Sequence, residues 1–251
     1  MGYAHKHGDI RTHVDHIYDA SSVIGCGRKP SIKAMLLRRK IVSLYFCIAA
    51  LFASIGAALS SPTGLNLIPT ADTLPYGETS LGFSTTATRP RMDGATKESL
   101  FETEFGIGEH FEFGVDRAVG ANAATLVNGK YRLYDESRLT PAVAVGMQNI
   151  ATNTGSMPFI AACKTLSVAR VHFGTIKTGG TFRAMLGIEK YLSRLVTIQS
   201  DYMSGAGNWT TIGMVIGVPS GWNLNAAWLI GNSDSSGNGY TIDLEWGGQL
   251  W

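Results

Sequence analysis

From residue 78 to the C terminus one pattern recurs about twelve times. Apolar and polar side chains alternate over roughly the 9–11 residues that a tilted membrane-spanning strand needs, and each run ends on Gly, Asn, Asp, Ser or Pro. A period of two sends successive side chains to opposite faces of a strand, so each run carries one greasy face and one polar face. The stretch Tyr240-Thr241-Ile242-Asp243-Leu244-Glu245-Trp246 alternates without a break. Phe111, Phe113 and Val115 likewise oppose Glu112, Gly114 and Asp116, and Phe182, Leu186 and Ile188 oppose Arg183, Gly187 and Glu189. No helical period competes with it. The runs cover 78–87, 98–107, 110–118, 123–134, 139–148, 157–166, 169–177, 181–191, 194–203, 209–218, 222–231 and 239–247.

Alternation alone fits a soluble sandwich, with the greasy faces packed on each other, as well as a closed barrel whose greasy face meets lipid. The start of the chain favours the barrel. Leu36-Leu37-Arg38-Arg39-Lys40 is a basic segment followed by an apolar one from Ile41 to Leu59, with small residues Ala58 and Ser60 placed for cleavage before Ser61. That order is an export signal. The apolar stretch is long enough that an uncleaved inner-membrane anchor is the rival reading. Residues 1–34 hold His5, His7, His13 and His16, which suit either a metal tract or sequence upstream of a true start at Met35. The expected organisation is an upstream extension at 1–34, a signal at 35–60, a Pro-containing lead-in at 61–77 and a barrel at 78–251.

Setting the first 60 residues aside reverses the charge. Beyond them lie 13 of the 21 basic and 16 of the 19 acidic residues, so the +2 of the whole becomes −3. No basic footprint for nucleic acid remains. Cys163 is then the single cysteine, so no internal disulfide supports an exported domain. Its neighbours Phe159 and Ala161 place it on a lipid-facing side as a small apolar residue.

The predicted fold is therefore all-β: a closed, antiparallel, up-and-down transmembrane barrel of about twelve strands with its short turns in the periplasm. Trp209, Trp222, Tyr240, Trp246, Tyr134 and Tyr191 stand near run ends, where interfacial aromatic girdles belong. Small residues such as Gly82, Gly106, Gly114, Gly146, Gly174, Gly187, Gly213 and Gly217 fall mainly on the inward face and keep a narrow barrel from overfilling.

The inward faces gather the candidate functional residues. Glu102, Glu104, Glu112 and Asp116 stand opposite Lys130 and Arg132. Lys164, Arg170, His172, Arg183, Glu189 and Asp201 follow, and the last strand adds Asp243 and Glu245. Such charges can line a selective pore or knit a closed plug. Both readings stand at this level, and the first predicts that alanine at Lys130 and Arg132 changes ion selectivity. A barrel hydrolase needs a nucleophile, a base and an orienting group within reach of one another. His172 has no serine motif beside it, so an enzyme acting on lipid or envelope polymer is the lesser alternative, as is a soluble periplasmic β protein. No cofactor is expected.

The lead-in is too apolar for a solvated tail and too rich in proline for a ladder strand. It is expected to fold against or into the periplasmic mouth. Gly64-Leu65, Ile68-Pro69-Thr70-Ala71-Asp72, Leu74-Pro75 and Gly77, running into Ser80-Leu81-Gly82-Phe83, resembles the opening of YjbH-like outer-membrane barrels linked to exopolysaccharide secretion. The unit from Gly106 to Gly114 is similar to the strand–turn–strand of many such barrels. The resemblance covers about thirty residues, far fewer than a full-length member of that family. It implies an outer-membrane, porin-like channel or accessory envelope protein with a role in polysaccharide export. Its partners would be outer-membrane lipid, the barrel assembly machinery and polysaccharide-export components. Trp251 supplies a terminal aromatic, but Gln249 stands where the assembly signal usually has a hydrophobic residue.

Overall fold

The computed structural model describes residues 63–89, 95–120, 123–150, 155–218 and 220–249. The expected signal segment and the upstream histidines lie outside them. Among the described residues all the regular structure is strand: β1 Glu78–Arg89, β2 Thr96–Gly106, β3 Phe111–Ala118, β4 Thr125–Tyr134, β5 Ala142–Ile150, β6 Met157–Thr165, β7 Arg170–Thr178, β8 Thr181–Tyr191, β9 Val196–Met203, β10 Trp209–Val218, β11 Trp222–Gly231 and β12 Asn238–Gln249. Each pairs antiparallel with its sequence neighbour, and β1 pairs with β12, so the sheet is a closed up-and-down barrel. The closing register runs from Glu78↔Gln249 to Arg89↔Asn238 without a slip. Closure leaves no strand edge whose N–H and C=O groups lack partners, a condition that any hydrocarbon-embedded sheet must meet.

The faces divide as the alternation predicts. Trp228 is 55% exposed and Leu244 45%, whereas Lys130 is 1% and Glu112 0% exposed. The greasy side therefore does not form a shared dry centre. It forms the outside of the barrel, and the charged side points in. Tyr134, Tyr191, Trp222 and Tyr240 are exposed near strand ends, in girdle positions. Trp209 departs from the expected girdle. It sits on the inward face of β10 and donates from Nε1 to Gly237 O at 3.0 Å, because the parity set by Thr211 and Gly213 turns it inside.

Two features of β4 to β6 differ from the sequence reading. β5 begins at Ala142 rather than at 139, since Pro141 cannot donate to the ladder, and the connection spans 135–141. That lengthens one of the supposedly tight turns. With Gly179-Gly180 short at the opposite end, the contrast in loop length between the two ends is shallow. Gly179 and Gly180 both have positive φ, 55° and 82°, which closes a two-residue hairpin whose twist matches its strands.

On β6, Phe159, Ala161 and Cys163 are buried inside the barrel, not turned to lipid, and Ile160 is on the outer face. Lys164 shares Ile160's parity and leaves the lumen to bind Glu136 at 3.4 Å in the 135–141 connection. This strand is apolar on both faces, so a period of two could not say which one faces out.

The reason for an apolar inner wall is that the barrel is not hollow. Residues 63–74 fold back inside it. Leu65 N–H donates to Ile68 O at 3.0 Å and Gly64 bridges Pro69, making a tight hairpin. Leu65 and Ile68 pack on Met157, Phe159, Ala161, Ile176, Met185 and Met203. Ala71 seats on Ala142, Ala144 and Cys163. The lead-in thus goes further than the expected mouth and becomes much of the interior core.

The inward glycines make room for it. A Cβ on Gly187 would stand 2.4 Å from Leu65 Cδ1, and one on Gly106 would stand 1.9 Å from Pro75 O. The second contact is with backbone, which cannot rotate away. Gly106→Ala is expected to destabilise the protein by about 1–3 kcal/mol, the usual cost of overpacking. Urea-induced loss of the folded gel mobility checks this. An unchanged midpoint would mean that the returning limb is free to move.

Candidate functional site

Three of the inward carboxylates hold the hairpin, and they do so through its backbone. Thr63 N–H donates to Glu104 Oε2 at 3.1 Å, Leu67 N–H to Asp201 Oδ2 at 2.9 Å and Leu74 N–H to Glu112 Oε2 at 2.8 Å. A backbone turn buried in a barrel has donors that no ladder satisfies, and side-chain carboxyl oxygens supply acceptors for them. The apex is fixed sideways as well. Asn66 Nδ2 donates to Thr211 Oγ1 at 2.7 Å, and Asn66 Oδ1 accepts from Gln199 at 2.8 Å.

Lys130 lies below the hairpin. Its Nζ is 3.3 Å from Glu112 Oε1, both side chains being fully buried, and it donates to Thr63 O at 3.1 Å. Asp116 is buried beside Asn128, which donates to its Oδ2 at 2.6 Å. Arg132 stands apart from this group at the rim, bound to Asp135 at 3.0 Å with its side chain 25% exposed. Lys130 is thus sealed beside the hairpin. Arg132 stands near the end of β4, where the register shifts between Arg132 and Tyr134, and reaches Asp135 in the turn rather than the open cavity.

A second network lies at the same end, on the wall formed by β6 to β8. Arg170 Nη2 donates to Asp72 Oδ1 at 2.7 Å and stands 3.7 Å from Glu136. Its Nη1 is 3.8 Å from Glu189. His172 Nε2 is 3.3 Å from the same Glu189 oxygen. Arg183 lies toward the other mouth, against Gly205.

What remains open is a cavity of about 360 Å³ along β1, β2 and β10 to β12. Its lining runs from Thr88, Thr96 and Trp209, at the 204–208 loop end, down to Glu104, Glu245 and the hairpin tip. Glu98, Glu102, Glu104, Asp243 and Glu245 face it, and among the described residues no lysine or arginine does. Ser84 donates to Glu102 at 2.9 Å and Ser80 donates to Glu245. Glu102 and Asp243 converge over Gly82, whose missing side chain leaves the space between them.

The thirteen charged residues expected in one lumen thus fall into separate settings. Glu104, Glu112, Lys130 and Asp201 lie around the hairpin, and Asp116 is buried beside Asn128. Arg170, His172 and Glu189 anchor Asp72. Glu102, Asp243 and Glu245, together with Glu104, line the cavity. Arg132 and Arg183 stand near the mouths. Sequence reasoning missed Thr63, Asn66 and Asp72 as partners, and Gln199, Thr211 and Glu98 on the wall. The inward parity of the last three was readable, but the depth of the lead-in was not.

Comparison with solved structures returns 23 matching chains. One is a KdgM porin in complex with disordered oligogalacturonate, with a TM-score of 0.51 at 8% identity, covering 66% of this chain and 98% of that one. No protein-family model matches the chain, and no curated protein sequence does. At that identity the likeness is one of fold: a closed antiparallel barrel.

Proposed function

We propose that the protein is an outer-membrane barrel acting as a narrow channel, plugged by its own lead-in, that favours cations and neutral solutes. The acid wall carries this reading: among the described residues, five carboxyl side chains and no lysine or arginine face the cavity. A confined passage with walls of one sign concentrates ions of the opposite sign. Membrane placement follows from the exterior, where closure and a girdled apolar band answer the demands of a bilayer. Lipid and the barrel assembly machinery are then its partners.

The porin in the comparison holds oligogalacturonate, a chain of carboxylated sugars. The same polyanion would meet like charge along this cavity, so we do not assign it here. If the lead-in's resemblance extends to polysaccharide export, this wall suits neutral or amino-bearing chains rather than uronates. The reading is of a non-enzymatic protein.

Reversal potentials across a KCl gradient in planar bilayers test it. The protein is expected to prefer K⁺ over Cl⁻. Joint Glu102→Gln, Asp243→Asn and Glu245→Gln replacement should lower that preference about fivefold, as befits a field summed over a few charges. Preference for Cl⁻ in the unaltered protein would reject the proposal.

A further inference from the structure

The wall across from the acidic cavity carries side chains that conduction does not use. Cys163 on β6 and His172 on β7 are cross-strand partners, and both are buried on the inward face. Asp72, on the returning limb of the hairpin, joins them. The thiol sulfur, a ring nitrogen and a carboxylate oxygen lie within 4.8 Å of one another. One nitrogen of His172, Nε2, faces Glu189 at 3.3 Å with the ring 2% exposed. Both Nε2 and Nδ1 are buried without a hydrogen bond, and Nδ1 has no ion-pair neighbour either. A polar atom left unsatisfied in a dry interior is costly and calls for an explanation.

The position of Arg170 supplies the second observation. Its Nη2 stands 2.7 Å from Asp72 Oδ1 and 2.7 Å from Cys163 Sγ. Positive charge already sits where two of the three donors converge.

We propose that Cys163, His172 and Asp72 form a binding site for a divalent transition-metal ion of the zinc class, and that Arg170 holds the place of that ion in its absence. One sulfur, one imidazole and one carboxylate are donors that zinc accepts in tetrahedral array, whereas calcium and magnesium demand oxygen. As the metal–sulfur bond forms, the thiol proton leaves to solvent. The guanidinium turns toward Glu136 and Glu189, which already lie 3.7 and 3.8 Å from it. Glu189 then fixes the ring from behind, as carboxylates do for metal-bound histidine. A cavity of about 410 Å³ at the β6–β7 turn is lined by Arg170 and Glu189, the neighbours of the site. Because Asp72 belongs to the hairpin, the ion would tie the plug to the wall. The site does not depend on the solute preference proposed above.

Cobalt(II) titration of the detergent-refolded protein tests this, with heat-modifiable mobility confirming that each variant is closed. The expected result is a thiolate-to-cobalt absorption band at one ion per chain, abolished by excess zinc. Cys163→Ser and His172→Ala should each remove it, the first also excluding Cys26 and Cys47 as the source. Arg170→Gln should tighten binding about tenfold by removing the competing cation. X-ray absorption of the zinc-loaded unaltered protein needs no variant, and should show one sulfur at about 2.3 Å with nitrogen or oxygen at roughly 2.0–2.1 Å. No band in the folded protein, a band that survives Cys163→Ser, or a zinc shell without sulfur would each overturn the site.

Discussion

Removing residues 64–74 from inside the barrel should raise single-channel conductance by about an order of magnitude, since flow through a constriction follows its open cross-section. The hairpin crosses the lumen from Glu104 and Glu112 on one side to Asp201 and Thr211 on the other. The cavity left beside it is about 360 Å³, so deletion joins that space to the volume of the hairpin itself. The carboxylates that now cap hairpin N–H groups would be solvated rather than stranded. Met185, Ile176 and Met203 would meet water, which lowers stability without opening the sheet, because the twelve ladders do not use the hairpin. A reversible version avoids any folding loss. Asn66→Cys with Thr211→Cys places two thiols where the present side chains are 2.7 Å apart. Oxidation should hold conductance at its lowest level, and reduction should restore it. If the deleted, closed barrel conducts as the intact one does, the hairpin is not the constriction.

The sequence showed the sheet clearly and the interior poorly, for one physical reason. A strand with a polar face and a greasy face announces both its period and its orientation, as β3, β8, β11 and β12 do. Phe159-Ile160-Ala161-Ala162-Cys163 has no polar face, because what covers its inner side is Leu65 and Ile68 rather than water. Orientation there was set by a tertiary contact ninety residues away in the chain, beyond the reach of local pattern. The same blindness affected the charges. Glu112 and Glu102 look alike in the alternation, yet one is spent on Leu74 N–H and Lys130 while the other faces the cavity. Only the path of the lead-in separates them.

Lys130 offers the sharpest test of that path. Its ammonium group lies with the Glu112 carboxylate in a fully buried pair, and it also donates to the Thr63 carbonyl. Glu112 in turn accepts from Thr63 Oγ1 and from Leu74 N–H, both at 2.8 Å. One ion pair thus grips both limbs of the hairpin. Lys130→Met removes the positive member and leaves Glu112 buried beside Glu104, with hydrogen bonds but no counter-charge. Breaking such a pair from one side costs about 3–5 kcal/mol, more than the pair itself contributes. The expected outcome is a large fall in the urea midpoint. Glu112→Gln added to Lys130→Met should recover part of the loss, since the amide keeps an acceptor for Leu74 and removes the stranded charge. Additive losses in the double variant would show that the two side chains are not coupled. The strain of a stranded carboxylate can also be relieved by expelling the hairpin, so Lys130→Met should conduct better than the intact protein even where the barrel stays closed. That joint result, weaker and wider at once, distinguishes a plug held by charge from a core that merely happens to contain one.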